Sequence, residues 1–294
     1  MASDDESFLP PQVFAGLESP HSDWQTARVA ILPVPYDGTT EWHNGSRYGP
    51  QAIIDASQYL ELYDLESGRE LQEIGIHTLP QLKPDMRGPA EMIEKVFHIA
   101  KRLVQEGKLV VMLGGEHSLS LGSVRAYKQV FPDLSVLQLD AHADLRNEYL
   151  GSMYSQACVM RRILELCPIA QVGVRSLSQE EKQFLDANNL TPFYMSGLEP
   201  LSAIEERLAA SLKDDIYITI DADVFDPSIM SAVGTPEPGG MQWEQALTLL
   251  KHVALHKRIV GFDVVEFCPQ EGPSSCAFLL AKLVYKLIGY AVPH

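Results

Sequence analysis

The chain has 294 residues, 46% of them hydrophobic, which is enough for one large α/β domain or two small ones. Its formal net charge of −16 disfavours binding to nucleic acid or to an anionic membrane and attracts small cations. Four cysteines without a C-x-x-C pair give no sign of a disulfide framework, and the acidic first residues lack the apolar core of a secretory signal. We therefore expect a reducing compartment, the cytoplasm.

The first predicted elements follow an N-terminal segment rich in proline, serine and acidic residues. Residues 1–26 are expected to form an irregular arm, and residues 27–294 are expected to form one domain because no linker or repeat interrupts them. A first strand is predicted at 29–34. A helix then begins at Pro50, where the missing N–H of proline costs least, and extends to Ser57.

Strands and helices alternate along the rest of the chain. Further strands are predicted at 109–113, 134–139, 170–174, 216–220 and 259–265. Further helices are predicted at 89–106, 119–130, 155–166, 178–187, 200–212, 242–256 and 276–290. This alternation predicts an α/β fold with a mostly parallel, doubly wound sheet covered by helices on both faces. The last helix is apolar but too short for a membrane span, so we expect it to pack in the core.

Three polar clusters come directly after predicted apolar strands, at 114–117, 140–144 and 221–223. They offer two histidines and four aspartates as candidate metal ligands: His117, Asp140, His142, Asp144, Asp221 and Asp223. Side chains two positions apart point to the same side of an extended chain, so the members of one cluster can converge. In a parallel α/β sheet, ligand sites lie outside the carboxyl ends of the strands. The clusters therefore predict a centre for two divalent metal ions.

Each of these residues alone also has a simpler interpretation. An aspartate at a strand end is usually a helix cap or a turn former, and a single histidine is more often a satisfied core residue. Three clusters at three strand ends are much harder to explain as unrelated caps. Imidazole and carboxylate without thiolate suit Mn²⁺ best, with Ni²⁺ or Co²⁺ as alternatives. Two such ions can share a hydroxide and activate it near neutral pH.

Together the motifs resemble those of the ureohydrolase family of arginases and agmatinases over nearly the whole chain. The matching segments are PYDGTT at 35–40, GPQAI at 49–53, GGEHS at 114–118, DAHADLR at 140–146, DADVFDPS at 221–228, GTPEPGG at 234–240 and DVVEF at 263–267. The TPEPGG form and the Leu-Arg after the second cluster are more similar to agmatinase than to arginase. The resemblance implies a three-layer α/β/α sandwich and assembly as a homotrimer or homohexamer.

The resemblance also implies roles for individual residues. One metal would be held by His117, Asp140, Asp144 and Asp221. The other would be held by Asp140, His142, Asp221 and Asp223, so that Asp140 and Asp221 bridge. Glu266 would hold the substrate guanidinium by paired, charge-assisted hydrogen bonds. Thr235 matches a loop that lies near the substrate.

The expected reaction is hydrolysis of a small cationic guanidino substrate, with agmatine and water giving putrescine and urea. In this hypothesis hydroxide attacks the guanidinium carbon, Asp223 orients it and accepts its proton, and the amine leaves protonated. Close alternatives keep the metals and change the substrate to guanidinobutyrate, guanidine, arginine or formiminoglutamate.

One position departs from the family pattern. Family members commonly carry a histidine where Gln156 stands, and glutamine cannot exchange a proton near neutral pH. Gln156 is still a candidate catalytic residue through its hydrogen bonds. His43 is a candidate to replace the histidine, although an ordinary surface histidine is an equally good interpretation. Trp42 is a candidate wall for the substrate tail, and a catalytically weak regulatory homologue stays an open alternative.

Overall fold

A parallel sheet of seven strands lies at the centre of the protein in a computed structural model that describes residues 12–195 and 201–292. The strands are β1 (Val29–Val34), β2 (Tyr63–Asp64), β3 (Arg69–Glu70), β4 (Ile76–Thr78), β5 (Leu109–Gly114), β6 (Ser135–Leu139), β7 (Ile169–Val172), β8 (Asp215–Asp221) and β9 (Arg258–Val265). In the sheet their order is β4-β1-β5-β9-β8-β6-β7, while β2 and β3 pair with each other as an antiparallel hairpin.

Helices cover both faces of this sheet. They are α1 (Gly49–Ser57), α2 (Pro89–Gln105), α3 (Ser120–Val130), α4 (Val159–Leu164), α5 (Gln179–Ala187), α6 (Leu201–Ser211), α7 (Trp243–His256) and α8 (Ser275–Ala291). Buried residues of α1, α6, α7 and α8 share one hydrophobic core with Val111 and Leu113 of β5. Buried residues of α2 to α5 share the other with Val110 and Met112 of the same strand. This alternation along one strand confirms the predicted three-layer α/β/α sandwich.

The predicted strands are confirmed, each with ends within two residues of the prediction. Sequence reasoning missed β4 and the β2–β3 hairpin, because runs of two or three residues carry too little periodicity to detect. The helix predicted at 155–166 is shorter, since residues 156–158 form a 3₁₀ turn before α4 begins at Val159. Residue 200, the predicted start of α6, lies outside the described residues.

Part of the predicted N-terminal arm packs against the body of the protein. Residues 12–26 contain turns and a short 3₁₀ helix, Phe14–Gly16, while residues 1–11 lie outside the described part. Phe14 and Leu17 are buried in the core that α1 and α8 share, and the N–H of Ala15 donates to the Ser57 hydroxyl at 2.8 Å. The proposed domain boundary after residue 26 stays a prediction.

The C-terminal helix confirms the prediction of a core helix. α8 buries ten of its residues, including Leu280, Leu283 and Leu287. Among the helices that the structure describes, none combines the length and the apolar character needed to cross a bilayer.

Candidate metal centre

The predicted ligands follow neighbouring strands in the middle of the sheet. His117 comes three residues after β5, and the cluster that begins at Asp140 comes directly after β6. Asp221 is the last residue of β8, and Glu266 follows β9. Because β5, β9, β8 and β6 are consecutive neighbours in a parallel sheet, their carboxyl ends meet at one edge.

One group of ligands surrounds the His117 imidazole. Its Nδ1 lies 3.1 Å from Asp140 Oδ2, 3.1 Å from Asp144 Oδ2 and 3.4 Å from Asp221 Oδ2. None of these contacts has hydrogen-bond geometry, so Nδ1 is a buried atom without a hydrogen-bond partner among the described residues. The three oxygens therefore converge on this nitrogen without being satisfied by it.

The other ring nitrogen explains this arrangement. His117 Nε2 lies 2.8 Å from Thr219 Oγ1, and the Thr219 hydroxyl donates to Asp263 Oδ1 at 2.6 Å. Since a hydroxyl has one proton, Thr219 must accept from Nε2–H, so Nδ1 is the nitrogen that faces the three carboxylates. In the metal-free site burial lowers the pKa of His117, but the carboxylates of Asp140, Asp144 and Asp221 outweigh it and raise that pKa well above its usual value, so this place attracts a positive charge, a proton or a metal cation. The donor set thus fits a divalent metal.

A second group forms around His142. Its Nδ1 is 2.8 Å from Asp223 Oδ2 and 3.7 Å from Asp140 Oδ1. His117, Asp140 and Asp221 form one group able to hold an ion, and Asp140, His142 and Asp223 form the other, each with ligand atoms within 4.8 Å of one another. Asp140 is common to both groups. The bridging role predicted for Asp221 stays a prediction.

Backbone hydrogen bonds hold the carboxylates in place. Asp140 Oδ1 accepts from the N–H of His142 at 2.6 Å, and Asp221 Oδ1 accepts from the N–H of Asp223 at 2.9 Å. Asp223 Oδ1 accepts from the N–H of Ala141 at 3.0 Å, which connects the cluster after β8 to the cluster after β6. One oxygen of each of these carboxylates is thereby fixed, and Asp140 Oδ2, which faces His117, also accepts from Gln138 Nε2 at 2.6 Å.

Without cations, the electrostatics of this cluster are strained. Burial raises the pKa of Asp140 to about 7, with further contributions from the charges of Asp223 and Asp144. Burial and the same kind of repulsion raise the pKa of Asp221 well above its usual value. Burial also raises the pKa of Asp223, but the charge of His142 outweighs it and lowers that pKa to about 2. Divalent cations would relieve the repulsion among these acids.

Two site residues have backbone angles that non-glycine residues rarely adopt. Asp144 has φ of 53° and Glu266 has φ of 60°, both in the left-handed region. Such residues cost on the order of 1–3 kcal/mol each and persist only where the surroundings hold them. The N–H of Glu266 donates to the Gly115 carbonyl at 2.7 Å, and the Asp144 carbonyl accepts from the N–H of Met160 at 3.0 Å. Both residues line the cavity beside the ligand groups.

A cavity of about 260 Å³ opens beside the ligands. Glu266 lines it, and its Oε1 accepts from the N–H of His117 at 2.6 Å. Burial raises the pKa of Glu266 well above its usual value, with a further contribution from the charge of Glu116. Gln156 and Thr235 also line the cavity, and Gln156 Oε1 is buried without a hydrogen-bond partner among the described residues.

Two predicted substrate contacts lie apart from this cavity. Trp42 is 68% exposed and packs edge-on against His43, with ring centroids 4.2 Å apart. His43 Nδ1 lies 3.1 Å from Glu271 Oε1. Neither is among the residues that line the cavity. The structure instead places Glu41, Arg146 and Tyr149 there, which sequence reasoning missed; their position in the loops after β1 and β6 was the available signal.

Known proteins share this arrangement of motifs over most of the chain. The model described as the Arginase family matches residues 27–289. An N(1)-aminopropylagmatine ureohydrolase from Synechocystis sp. is 36% identical over 92% of this chain and 90% of its own length. An agmatinase from Pyrococcus horikoshii is 34% identical over 93% of this chain and 95% of its own length.

The fold agrees with these relatives. The crystal structure of the agmatine ureohydrolase of Thermoplasma volcanium superposes with a TM-score of 0.85 at 31% identity, covering 92% of this chain and 93% of the other. With the two ligand groups, the family match implies a binuclear divalent metal centre. The chain therefore belongs to the arginase family and is a ureohydrolase, an enzyme that hydrolyses amidino C–N bonds.

Proposed function

We propose that the protein hydrolyses the guanidino group of an amine-tailed alkylguanidine, with agmatine giving putrescine and urea. The observation that carries this proposal is that members of both ligand groups and the buried carboxylate of Glu266 line one cavity. A carboxylate beside a metal centre is suited to a planar cation, which it can bind by two charge-assisted hydrogen bonds. We propose Mn²⁺ as the native metal, with Ni²⁺ or Co²⁺ as alternatives.

The reaction needs a nucleophile, a group that binds the guanidinium, and a group that transfers one proton from the nucleophile to the leaving amine. Two divalent ions, when bound, supply hydroxide near neutral pH. Glu266 holds the guanidinium so that its carbon faces the ligand groups. Asp223 orients the attacking oxygen, accepts its proton and returns it to the amine as the C–N bond breaks, so the products are an alkylamine and urea. Gln156 contributes hydrogen bonds only, because an amide does not exchange protons near neutral pH.

His117 and Asp144 have a supporting role in this scheme. His117 Nε2 keeps its proton and donates it in a hydrogen bond to the Thr219 hydroxyl, so the imidazole acts as a ligand and takes no part in proton transfer. Asp144 has its main chain fixed by α4, which keeps its carboxylate on the cavity side of the site. A homotrimer or homohexamer, as the family resemblance implies, is part of the same proposal.

The second candidate substrate is agmatine extended by an aminopropyl group. Its support is that the Synechocystis relative bears that name and that the mouth of the cavity has an exposed acid, Glu41. The longer molecule has a second ammonium group farther from the guanidinium, and the charge of Glu41 attracts such a tail.

The test is a substrate panel on protein loaded separately with Mn²⁺, Ni²⁺ or Co²⁺, with urea or released amine measured. Agmatine and N(1)-aminopropylagmatine are expected to be turned over with higher kcat/KM than arginine, guanidinobutyrate, formiminoglutamate or free guanidine. Good turnover of any of them excludes the weak regulatory homologue. Urea from arginine or guanidine, and none from either amine-tailed compound, would overturn the proposal.

A further inference from the structure

Two loops meet at the mouth of the cavity and bring together an acid, a phenol and a guanidinium. Glu41 belongs to the loop after β1, while Arg146 and Tyr149 belong to the loop after β6. The Tyr149 hydroxyl donates to Glu41 Oε2 at 2.8 Å, and the Arg146 guanidinium lies 4.7 Å from the centre of the Tyr149 ring. All three residues line the cavity that contains the ligand groups.

The backbone around Glu41 is anchored in the interior. Thr39, two residues earlier, donates its N–H to Glu116 Oε2 at 2.5 Å and its hydroxyl to Glu116 Oε1 at 2.8 Å. Glu116 is fully buried. The Thr39 hydroxyl also accepts from the N–H of Gln156 at 3.0 Å, which ties the first loop to the second. Glu41 therefore projects from a fixed loop although its own side chain is exposed.

The backbone around Tyr149 is equally constrained. Tyr149 and Ser152 exchange both backbone hydrogen bonds at 2.9 Å, and Leu150 and Gly151 between them form a tight turn with positive φ at both positions. The phenol thus projects from a fixed turn, and its hydroxyl holds one oxygen of Glu41. In the part of the chain that the structure describes, no hydrogen bond reaches Glu41 Oε1, so that oxygen is available to a donor from a ligand.

The balance of charge shows which donor suits this oxygen. Divalent cations offset the charge of the aspartates, and Glu266 offsets that of the guanidinium, so the remaining charges along the cavity are those of Glu41, Glu181 and Arg146. Glu181 is already engaged, because its oxygens accept from Leu145 N–H at 2.9 Å and from Ser178. The cavity as a whole therefore keeps one net negative charge, and Glu41, which stands beside Arg146 at the mouth, is the acid with an open oxygen.

We infer that Glu41, positioned by Tyr149, is a specificity residue that binds the ammonium group in the tail of the substrate. This inference rests on the proposed function and specifies it, since it names a residue that distinguishes ammonium tails from neutral and carboxylate tails. Gln156 Oε1, the buried and unpartnered acceptor in the same cavity, gives a substrate N–H a second place to bind on the way to the mouth.

The test compares agmatine with butylguanidine, which has the same chain length and no ammonium group. In Glu41→Gln, the ratio of kcat/KM for agmatine to that for butylguanidine is expected to fall about tenfold or more, mainly through KM, because a charge-assisted hydrogen bond is lost. Tyr149→Phe is expected to give a smaller loss in the same direction. Glu61→Gln, which removes an exposed acid elsewhere, is the matched control and should leave the ratio as it is in the wild type.

Calorimetric titration of agmatine into the metal-loaded wild type and Glu41→Gln tests the specificity role of Glu41 separately from the proposed function. If butylguanidine releases amine and urea but the ratio and the affinity do not depend on Glu41, the proposed function stands and the specificity role is wrong. An equal loss for both substrates also contradicts that role. If no guanidine is hydrolysed, the proposed function is wrong, and a weaker affinity of Glu41→Gln for agmatine still supports the ammonium site.

Discussion

Thr219 determines the tautomer and the orientation of the His117 imidazole in the ligand group. It lies in the middle of β8, is fully buried, and stands between His117 Nε2 and the buried carboxylate of Asp263. Asp263 also accepts a hydrogen bond from the Tyr217 hydroxyl at 2.7 Å, so its position is fixed independently of the histidine. Such outer partners set the tautomer and the orientation of a metal-ligating histidine.

Replacing Thr219 by valine tests this role. Thr219→Val removes the acceptor of Nε2–H and the donor to Asp263 while keeping the branched shape, so metal affinity is expected to fall roughly 10–100-fold. The measurement is the metal dissociation constant from competition with a chelator, together with metal content after dialysis. Thr248→Val on the exposed face of α7 is the control. Unchanged affinity in folded Thr219→Val would show that Thr219 does not set the tautomer.

The sequence predicted which ligand residues converge, but it did not predict this partner. The aspartates and histidines stand at strand ends with a spacing of two, which is a recognisable pattern, whereas Thr219 inside a strand is an ordinary β-forming residue. Asp263 carried a usable signal, because an acid inside an apolar strand must have partners. Glu41, Arg146 and Tyr149 carried only the weaker signal of their place in the loops after β1 and β6, because loop geometry decides which polar side chains of such loops reach a cavity.

At the scale of elements, one acid joins the β2–β3 hairpin to two helices. Glu66, in the hairpin turn, pairs with Lys286 of α8 and accepts from the Tyr290 hydroxyl at 2.7 Å. Its other oxygen lies 2.6 Å from Lys251 Nζ of α7. Burial raises the pKa of Glu66, but these partners outweigh it and lower that pKa to about 2. The hairpin strands are too short for periodicity to show, and the contact with α8 was not predictable because Glu66 and Lys286 lie 220 residues apart.

The lowered pKa of Glu66 gives a definite pH dependence. An acid whose folded pKa is depressed stabilises the protein above its unfolded pKa, and this contribution is lost as pH falls through the folded value. The window therefore runs from about 4.5 down to about 2. In Glu66→Gln the free energy of unfolding is expected to fall less steeply with decreasing pH across this window than in the wild type.

Urea denaturation at a series of pH values measures this slope. Glu61→Gln, an exposed acid just before the hairpin, is the control and should keep the wild-type slope. Parallel curves for the wild type and Glu66→Gln would contradict the assignment of the ion pairs to the folded state.

At the scale of the whole molecule, the metal centre concentrates negative charge in a chain whose net charge is already −16. The acids of the centre are buried at the meeting point of the central strands, where water cannot screen them. The alternation of strands and helices made the layered fold predictable, because each apolar strand needs helices on both faces. The order of the strands in the sheet was not predictable, because the periodicity within a strand does not indicate which strands lie beside it.

After the metals are removed, the free energy of unfolding is expected to be lower at neutral pH than in mild acid. In the metal-free protein the pKa of Asp140 is raised from 3.8 to about 7, and that of His142 is raised from 6.5 to about 11. Between the lower and the upper value of each residue, the folded state therefore binds more protons than the unfolded state. Stability then falls as pH rises, because folding is favoured wherever the folded state holds the extra protons. Divalent ions displace these protons, and their binding should release them.

Denaturation of the chelator-treated protein at pH 5, 6, 7 and 8 checks this expectation, with the metal-loaded protein as the reference. The free energy of unfolding of the stripped protein should decrease across the series, while the gain from adding metal should increase. Asp223 does not disturb the comparison, because its pKa is lowered to about 2 and its contribution changes only in acid. Stability of the stripped protein that is constant or rises from pH 5 to 8 would mean that these residues are not buried together in the folded chain, since burial and repulsion among the acids raise the pKa of Asp140, and the charge of Asp223 raises that of His142.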